Sequence, residues 1–244
     1  MHRFYAEPGS LSEGFARLSR EDTDHAVKTL RLAPGDTVEL FADRARFLAE
    51  IAEAGRGGVS VRVLEPLPST EPRLRVTLFQ GLPKADKLEL IVQKAVELGA
   101  EAVVPVAMER SVVKLSADSV PRKLERWQKI AREACKQSGR CVEPAVGQPV
   151  NVAQLAKELA RFDAAVVPWE DARGYGLRAF QEEHPDVRTV AVVIGPEGGI
   201  SPEEIEILRS AGCLPVTLGP RILRTETAGL AAVSALMCLY GEME

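Results

Sequence analysis

The sequence predicts an α/β protein built on a mainly parallel sheet, preceded by a small β-rich unit. Three observations carry this. Apolar strand runs alternate with helical spacing from residue 74 onward. Three prolines in Glu65-Pro66-Leu67-Pro68-Ser69-Thr70-Glu71-Pro72 stiffen the chain and exclude helix, as in a linker. Leu218 to Ala228 passes from a strand end through a glycine turn to a helix start in eleven residues, an order that core-building seldom needs.

Before the prolines, Thr37 to Phe41, Phe47 to Ile51 and Val59 to Leu64 read as short strands, with turns at Pro34-Gly35-Asp36, Asp43-Arg44 and Gly55-Arg56-Gly57-Gly58. That spacing suggests a small barrel. His25 to Arg31 reads as a short helix ahead of them, and His25 as a structural or surface histidine rather than a ligand. After the prolines, Leu74 to Gln80 alternates, with Leu74, Val76 and Leu78 on one face. Leu88, Ile91, Val92, Ala95, Val96 and Leu98 then follow helical spacing, and Gly99 is placed to end that helix. Ala102 to Ala107 is the next strand. A helix opening at Pro121 turns Leu124, Trp127, Ile130, Ala131 and Ala134 inward, and Ala164 to Pro168, Thr189 to Ile194 and Leu214 to Leu218 complete the strands. Ser201, Pro202 and Glu204 together signal a helix start. Thr225 stands where an N-cap would open a last helix carrying Leu230, Val233, Ser234, Met237 and Tyr240.

Composition excludes little. With 45% hydrophobic and 27% charged residues the chain is an ordinary globular protein. No apolar run approaches the roughly 18 residues of a membrane span, and Met1-His2-Arg3-Phe4-Tyr5 opens no signal-peptide hydrophobic region, so a cytoplasmic protein is expected. Cys135, Cys141, Cys213 and Cys238 lack metal-ligand spacing, and neither a zinc site nor a disulfide framework is suggested. The net charge of -4 argues weakly against a nucleic-acid partner, but its distribution argues for one. Arg110 to Arg140 holds nine basic residues against three acidic ones, a local +6 able to neutralise phosphates unless it is only a solvated helix face.

Two strand-to-helix turns are rich in glycine. Ile194-Gly195-Pro196-Glu197-Gly198-Gly199-Ile200 precedes the helix signalled by Ser201, where unpaired N–H groups are expected. Alone it reads equally as a tight connection or as a site. It is neither a G-x-G-x-x-G fingerprint nor a Walker loop. Leu218 to Ala228 must lie at the carboxyl edge of the sheet, where open α/β folds bind ligands.

Gly195-Pro196-Glu197-Gly198-Gly199 followed by Leu218-Gly219-Pro220-Arg221-Ile222-Leu223-Arg224-Thr225-Glu226-Thr227-Ala228 resembles the SPOUT class of S-adenosylmethionine-dependent RNA methyltransferases. More narrowly, the chain is similar to the bacterial 16S ribosomal RNA (uracil(1498)-N(3))-methyltransferase family. Residues 84–89, 94–99, 109–115, 127–131 and 137–140 match that family in order. His25 through Leu30-Arg31 and Gly35-Asp36 fit its PUA-like domain more loosely. The resemblance implies a PUA-like RNA-binding β-barrel over 1–72 and a SPOUT methyltransferase domain with a deep trefoil knot over 73–244. It also implies a homodimer, S-adenosylmethionine as cofactor, no metal, and 16S ribosomal RNA, within the small ribosomal subunit, as partner.

Given that resemblance, Pro168, Trp169, Gly195, Pro196, Glu197, Gly198, Gly199, Leu218, Gly219, Ile222, Leu223, Arg224 and Thr225 are expected to hold the methyl donor. Apolar walls and main-chain groups suit its adenine and amino-acid tail. Trp169 could equally be core. Uracil N3 is a poor nucleophile until it loses its proton, so an arginine that stabilises the deprotonated ring would assist, and Arg224 is the expected catalytic residue. The alternative for Arg224 is an ion pair with Glu226 or another carboxylate. Glu197 is the weaker candidate for base, or it simply caps backbone amides. Because N3 lies on the pairing edge, the uridine must be unpaired or flipped. Arg31, Lys84, Lys87, Arg110, Lys114 and Arg140 are expected to contact RNA.

Overall fold

The computed structural model describes residues 1–55 and 57–243, so Arg56, in the turn expected at 55–58, lies outside the described residues. The chain forms two compact units, one of residues 1–71 with 136–142, the other of 72–135 with 143–244. A single cut near residue 72 therefore misses that 136–142 packs with the first unit.

The first unit holds β1 (Arg3–Tyr5), β2 (Phe15–Arg17), α1 (Arg20–Asp24), β3 (Thr37–Ala42), β4 (Ala45–Gly55) and β5 (Gly58–Leu67). Its sheet order is β1-β3-β4-β5-β2, antiparallel except for β1 against β3. The sheet's two outer strands meet where Ala6 bridges Leu18. Phe4, Val38, Leu40, Ala49, Ile51 and Val61 fill its core.

Two expectations need correction here, and two strands were not foreseen. The helix expected at His25 to Arg31 starts earlier, because the Ser19 side chain accepts from the Asp22 N–H and fixes the start of α1. His25–Thr29 continues it as a π-helical turn, and Arg31 has φ 56°. The expected linker begins later than Glu65, since Glu65, Pro66 and Leu67 pair with β4. Strands β1 and β2, three residues each, leave no periodicity to read.

The second unit opens with β6 (Arg75–Gly81), α2 (Lys87–Glu97), β7 (Ala102–Ala107) and α3 (Val120–Ser138), whose last three residues fall in the first unit. There follow β8 (Ala145–Val146), β9 (Val150–Asn151), α4 (Val152–Glu158), β10 (Ala164–Pro168), α5 (Leu177–Glu183), β11 (Thr189–Ile194), α6 (Pro202–Ser210), β12 (Cys213–Val216) and α7 (Thr225–Leu239). The sheet order is β12-β10-β11-β6-β7-β8, with β9 also on β7, and every pairing is parallel. A parallel sheet covered on both faces buries both sets of side chains. On β11, Val190, Val192 and Ile194 face one core with α2, α3, α5 and α7, while Ala191 and Val193 face the other with α4 and α6. On and just before β6, likewise, Leu74, Val76 and Leu78 share one face, as expected, and the opposite face is buried too, with Phe79 in the second core and Thr77 7% exposed.

Gly99 ends α2 with φ 95°, as expected. Two ends differ. Strand β12 stops at Val216, because Thr217 bonds out to Tyr175 rather than along the sheet. Helix α7 is capped by Arg224, whose carbonyl accepts from Thr227 and Ala228, and Thr225 is the first helical residue with its side chain inward. No helix among the described residues is long and apolar enough to cross a membrane.

Candidate functional site

The sheet order fixes where a ligand can sit. From β6 the chain crosses by α2 to β7 on one side; from β11 it crosses by α6 to β12 on the other. The carboxyl ends of β6 and β11 are therefore the topological switch point, where open α/β sheets leave a crevice. Gln80-Gly81 and Ile194-Gly195 stand there, and the start of α7 joins them.

A buried hydrogen-bond chain ties the three segments. The Thr225 hydroxyl donates to the Gly195 carbonyl at 2.6 Å, and Gln80 Nε2 donates to Thr225 Oγ1 at 2.8 Å and to the Gly81 carbonyl at 3.0 Å. Gly81 and Gly195-Pro196 are in main-chain contact: a Cβ on Gly81 would lie 2.6 Å from Pro196 N. Only glycine permits that approach.

A second, charged tie lies outside the first. Lys87 Nζ contacts both Glu197 Oε1 and Glu226 Oε2 at 3.1 Å, and the Lys84 N–H donates to the Glu197 carboxylate at 3.1 Å. The bonds to Glu226 and Glu197 raise the Lys87 pKa. Glu226 is held below its ordinary value by its own main-chain N–H and by Lys87. For Glu197, burial pushes the value up, but N–H groups of residues 197 and 84 and the Lys87 ammonium together hold it below the carboxylate range. Glu197 is thus a stabilised carboxylate, a poor proton acceptor, and it caps the Lys84 amide. Lys87 is spent on two carboxylates rather than open to phosphate.

The structure brings most of the expected donor-site residues to this edge. Pro168 pairs with Val216, and the Trp169 N–H donates to the Val216 carbonyl. Trp169 is half-buried against the second core. Gly198 packs on Arg110, where its Cβ would meet main chain at 2.9 Å, and the Arg110 guanidinium donates to the Gly198 carbonyl at 3.3 Å. The glycines at 195 and 198 are accordingly explained by close protein neighbours. Of the N–H groups expected to be free at the start of α6, those of Ser201 and Glu204 are engaged in a capping box, and the Glu204 carboxylate also accepts from the Glu109 N–H. This argues against a phosphate there.

What remains open is the segment after β12. Gly219 turns it with φ 99°, Ile222 is 85% exposed, and Leu218 and Leu223 are half-buried. No hydrogen bond among the described residues engages the main chain of Ile222 or Leu223. Exposed apolar surface beside unengaged main-chain donors and acceptors fits a ligand carrying an adenine and a polar tail. Arg224 is exposed and makes no ion pair with Glu226 or any other carboxylate among the described residues. Cys213 is no nucleophile, for burial pushes its thiol up to about 12.

The expected RNA contacts divide. Lys84, Arg110 and Lys114 are exposed near the carboxyl edge. In the first unit Arg31 is exposed, but Arg140 is 6% exposed and its guanidinium binds Glu71 at 2.6 Å, so it is a structural ion pair. Sequence reasoning missed Gln80, Glu226 and the inward turn of Thr225. A lone glutamine ending an apolar strand was the available signal.

Residues 70–237 match the RNA methyltransferase domain family. The chain is 38% identical over 225 residues to ribosomal RNA small subunit methyltransferase E of Bacillus subtilis, covering 90% of this chain and 88% of that one. It is 30% identical to the protein of the same name from Aquifex aeolicus, covering 97% and 99%. Among solved structures, ribosomal RNA small subunit methyltransferase E from Neisseria gonorrhoeae, bound to S-adenosyl methionine, superposes with a TM-score of 0.80 at 31% identity, covering 98% of both chains.

Proposed function

The chain belongs to the RNA methyltransferase family, and on that premise we propose that it methylates small-subunit ribosomal RNA with S-adenosylmethionine, at N3 of one uridine of 16S RNA. The observation that carries this reading is the Leu218 to Arg224 segment, whose exposed Ile222 and unengaged main chain lie between the edge strand β12 and Thr225, the residue bonded to Gly195 and Gln80 at the switch point. The proposal includes a PUA-like role for the first unit, a C-terminal trefoil knot and a homodimer; the bonds from Thr225 to Gly195 and Gln80 support the tight threading a knot needs.

When bound, S-adenosylmethionine supplies an electrophilic methyl group. Leu218, Ile222 and Leu223 bind its apolar part and offer main-chain hydrogen bonds, with Pro168 and Trp169 along the wall. The buried Thr225 chain and the Lys87 bridge hold these segments in place, and such fixed positioning is the main contribution available to methyl transfer. Arg224, unpaired and at the start of α7, stabilises the oxygens of the N3-deprotonated uracil. Lys84, Arg110 and Lys114 attract the RNA backbone.

Mass-spectrometric mapping of methylated nucleotides in 16S RNA, with and without this protein, tests the reading. One N3-methyluridine should depend on it. An unchanged methyl-uridine level refutes the assignment.

A further inference from the structure

A cavity of about 80 Å3 lies between the β6–α2 loop, the segment after β7 and α3, lined by Pro83, Ala85, Asp86, Val113, Lys123 and Trp127 among others. The methyl-donor segments do not touch it. Yet segments 84–89, 109–115 and 127–131, three of those that carry the family resemblance, all reach it. Its walls are apolar, from Leu88, Val113, Leu115 and Trp127. Its rim is charged: Lys123 has no carboxylate partner within 4 Å among the described residues, whereas Arg126 is held by Glu89 at 2.8 Å. Asp86 stands at the N-cap of α2 but its side chain caps nothing, leaving the carboxylate exposed as an acceptor. Ala85 beside it has φ 53°, a conformation rare for a residue with a Cβ, and such strain gathers at working loops.

We propose that this cavity is a subsite for one base of the single-stranded RNA substrate, flanking the nucleotide that is methylated; the inference rests on the functional reading above. The volume suits a planar ring and is far below the roughly 300 Å3 of a small-molecule pocket. An apolar slot with one acceptor and one free cation fits a base: the walls pack against the ring, Asp86 accepts from a ring or exocyclic N–H, and Lys123 meets the adjoining phosphate. The cavity borders the donor site through a single loop, for Lys84 of that loop bonds Glu197 while Ala85 and Asp86 line the slot. A base seated here places its neighbour at the donor.

The test uses the full chain and a small-subunit RNA fragment carrying 4-thiouridine beside the methylated position. Photo-crosslinking should map to residues 83–89 or 113–127, and Val113→Phe, which fills the slot, should raise KM for RNA about tenfold with S-adenosylmethionine affinity unchanged by calorimetry. Should Val113→Phe fail to fold, Asp86→Asn and Lys123→Ala should each raise KM for RNA. A wild-type protein that methylates the fragment while crosslinking elsewhere, or variants with wild-type KM, overturn the subsite. Crosslinking at the slot without methyl transfer supports the subsite and overturns the functional reading instead.

Discussion

Thr225 and Arg224 are neighbours with opposite duties. The Thr225 hydroxyl is buried and serves two partners, so Thr225→Val strips Gln80 Nε2 and the Gly195 carbonyl of a bond each. Leaving buried groups unpaired costs about 1–3 kcal/mol, and urea unfolding should show a midpoint lowered accordingly. Arg224 touches no carboxylate and is exposed, so Arg224→Ala should change stability by less than about 0.5 kcal/mol. Methyl transfer should nevertheless fall by about 10²–10³-fold, as when a transition-state donor is removed. Parallel measurement of turnover and unfolding separates the two, and a large loss of stability in Arg224→Ala would mark it as structural. The sequence showed both residues next to a helix start but could not tell which faced inward. That choice is made by Gln80 and Gly195, 145 and 30 residues away.

At the level of elements, the Lys87 bridge joins the start of α2 to the β11–α6 turn and to α7. Its pH dependence follows from the direction of each shift. Glu197 and Glu226 titrate below the ordinary 4.5, so the stability they contribute is present above that value and is lost as pH falls through their folded values. Lys87 titrates above 10.5, so its contribution is present below that value and is lost only as pH rises beyond its folded one. The melting-temperature difference between wild type and Lys87→Met should therefore be flat from about pH 6 to about pH 9 and shrink in acid. Gly81→Ala acts on the same junction: with a Cβ 2.6 Å from Pro196 N, β6 and the Gly195 turn must separate, and S-adenosylmethionine affinity should drop even where the protein folds. Strands 102–107, 164–168 and 189–194 were legible because buried parallel strands are continuous apolar runs. The seven-residue helices α4 and α5 were not, since seven residues hold barely two turns of periodicity.

For the molecule as a whole, the question is how much of the +6 between Arg110 and Arg140 is available to RNA. The sequence counts charges, but pairing is a property of the fold. Arg126, Arg132, Lys136 and Arg140 are matched to Glu89, Glu143, Glu21 and Glu71, while Arg110, Lys114, Arg122, Lys123 and Lys129 have no carboxylate within 4 Å among the described residues. Only an unmatched cation releases a counterion from RNA without first giving up a carboxylate. The slope of log affinity against log salt should thus fall by about 0.7 for each of Arg122→Ala and Lys129→Ala, and stay near wild type for Arg132→Ala. Arg140→Ala should act differently again. It leaves Glu71, which also accepts from the Cys141 and Val142 N–H groups, without its guanidinium, and should lower stability by on the order of 2 kcal/mol with little change in slope. Equal slopes across all four variants would mean that RNA reads residues 122–140 as a uniform charge, and that the carboxylate partners swing away on binding.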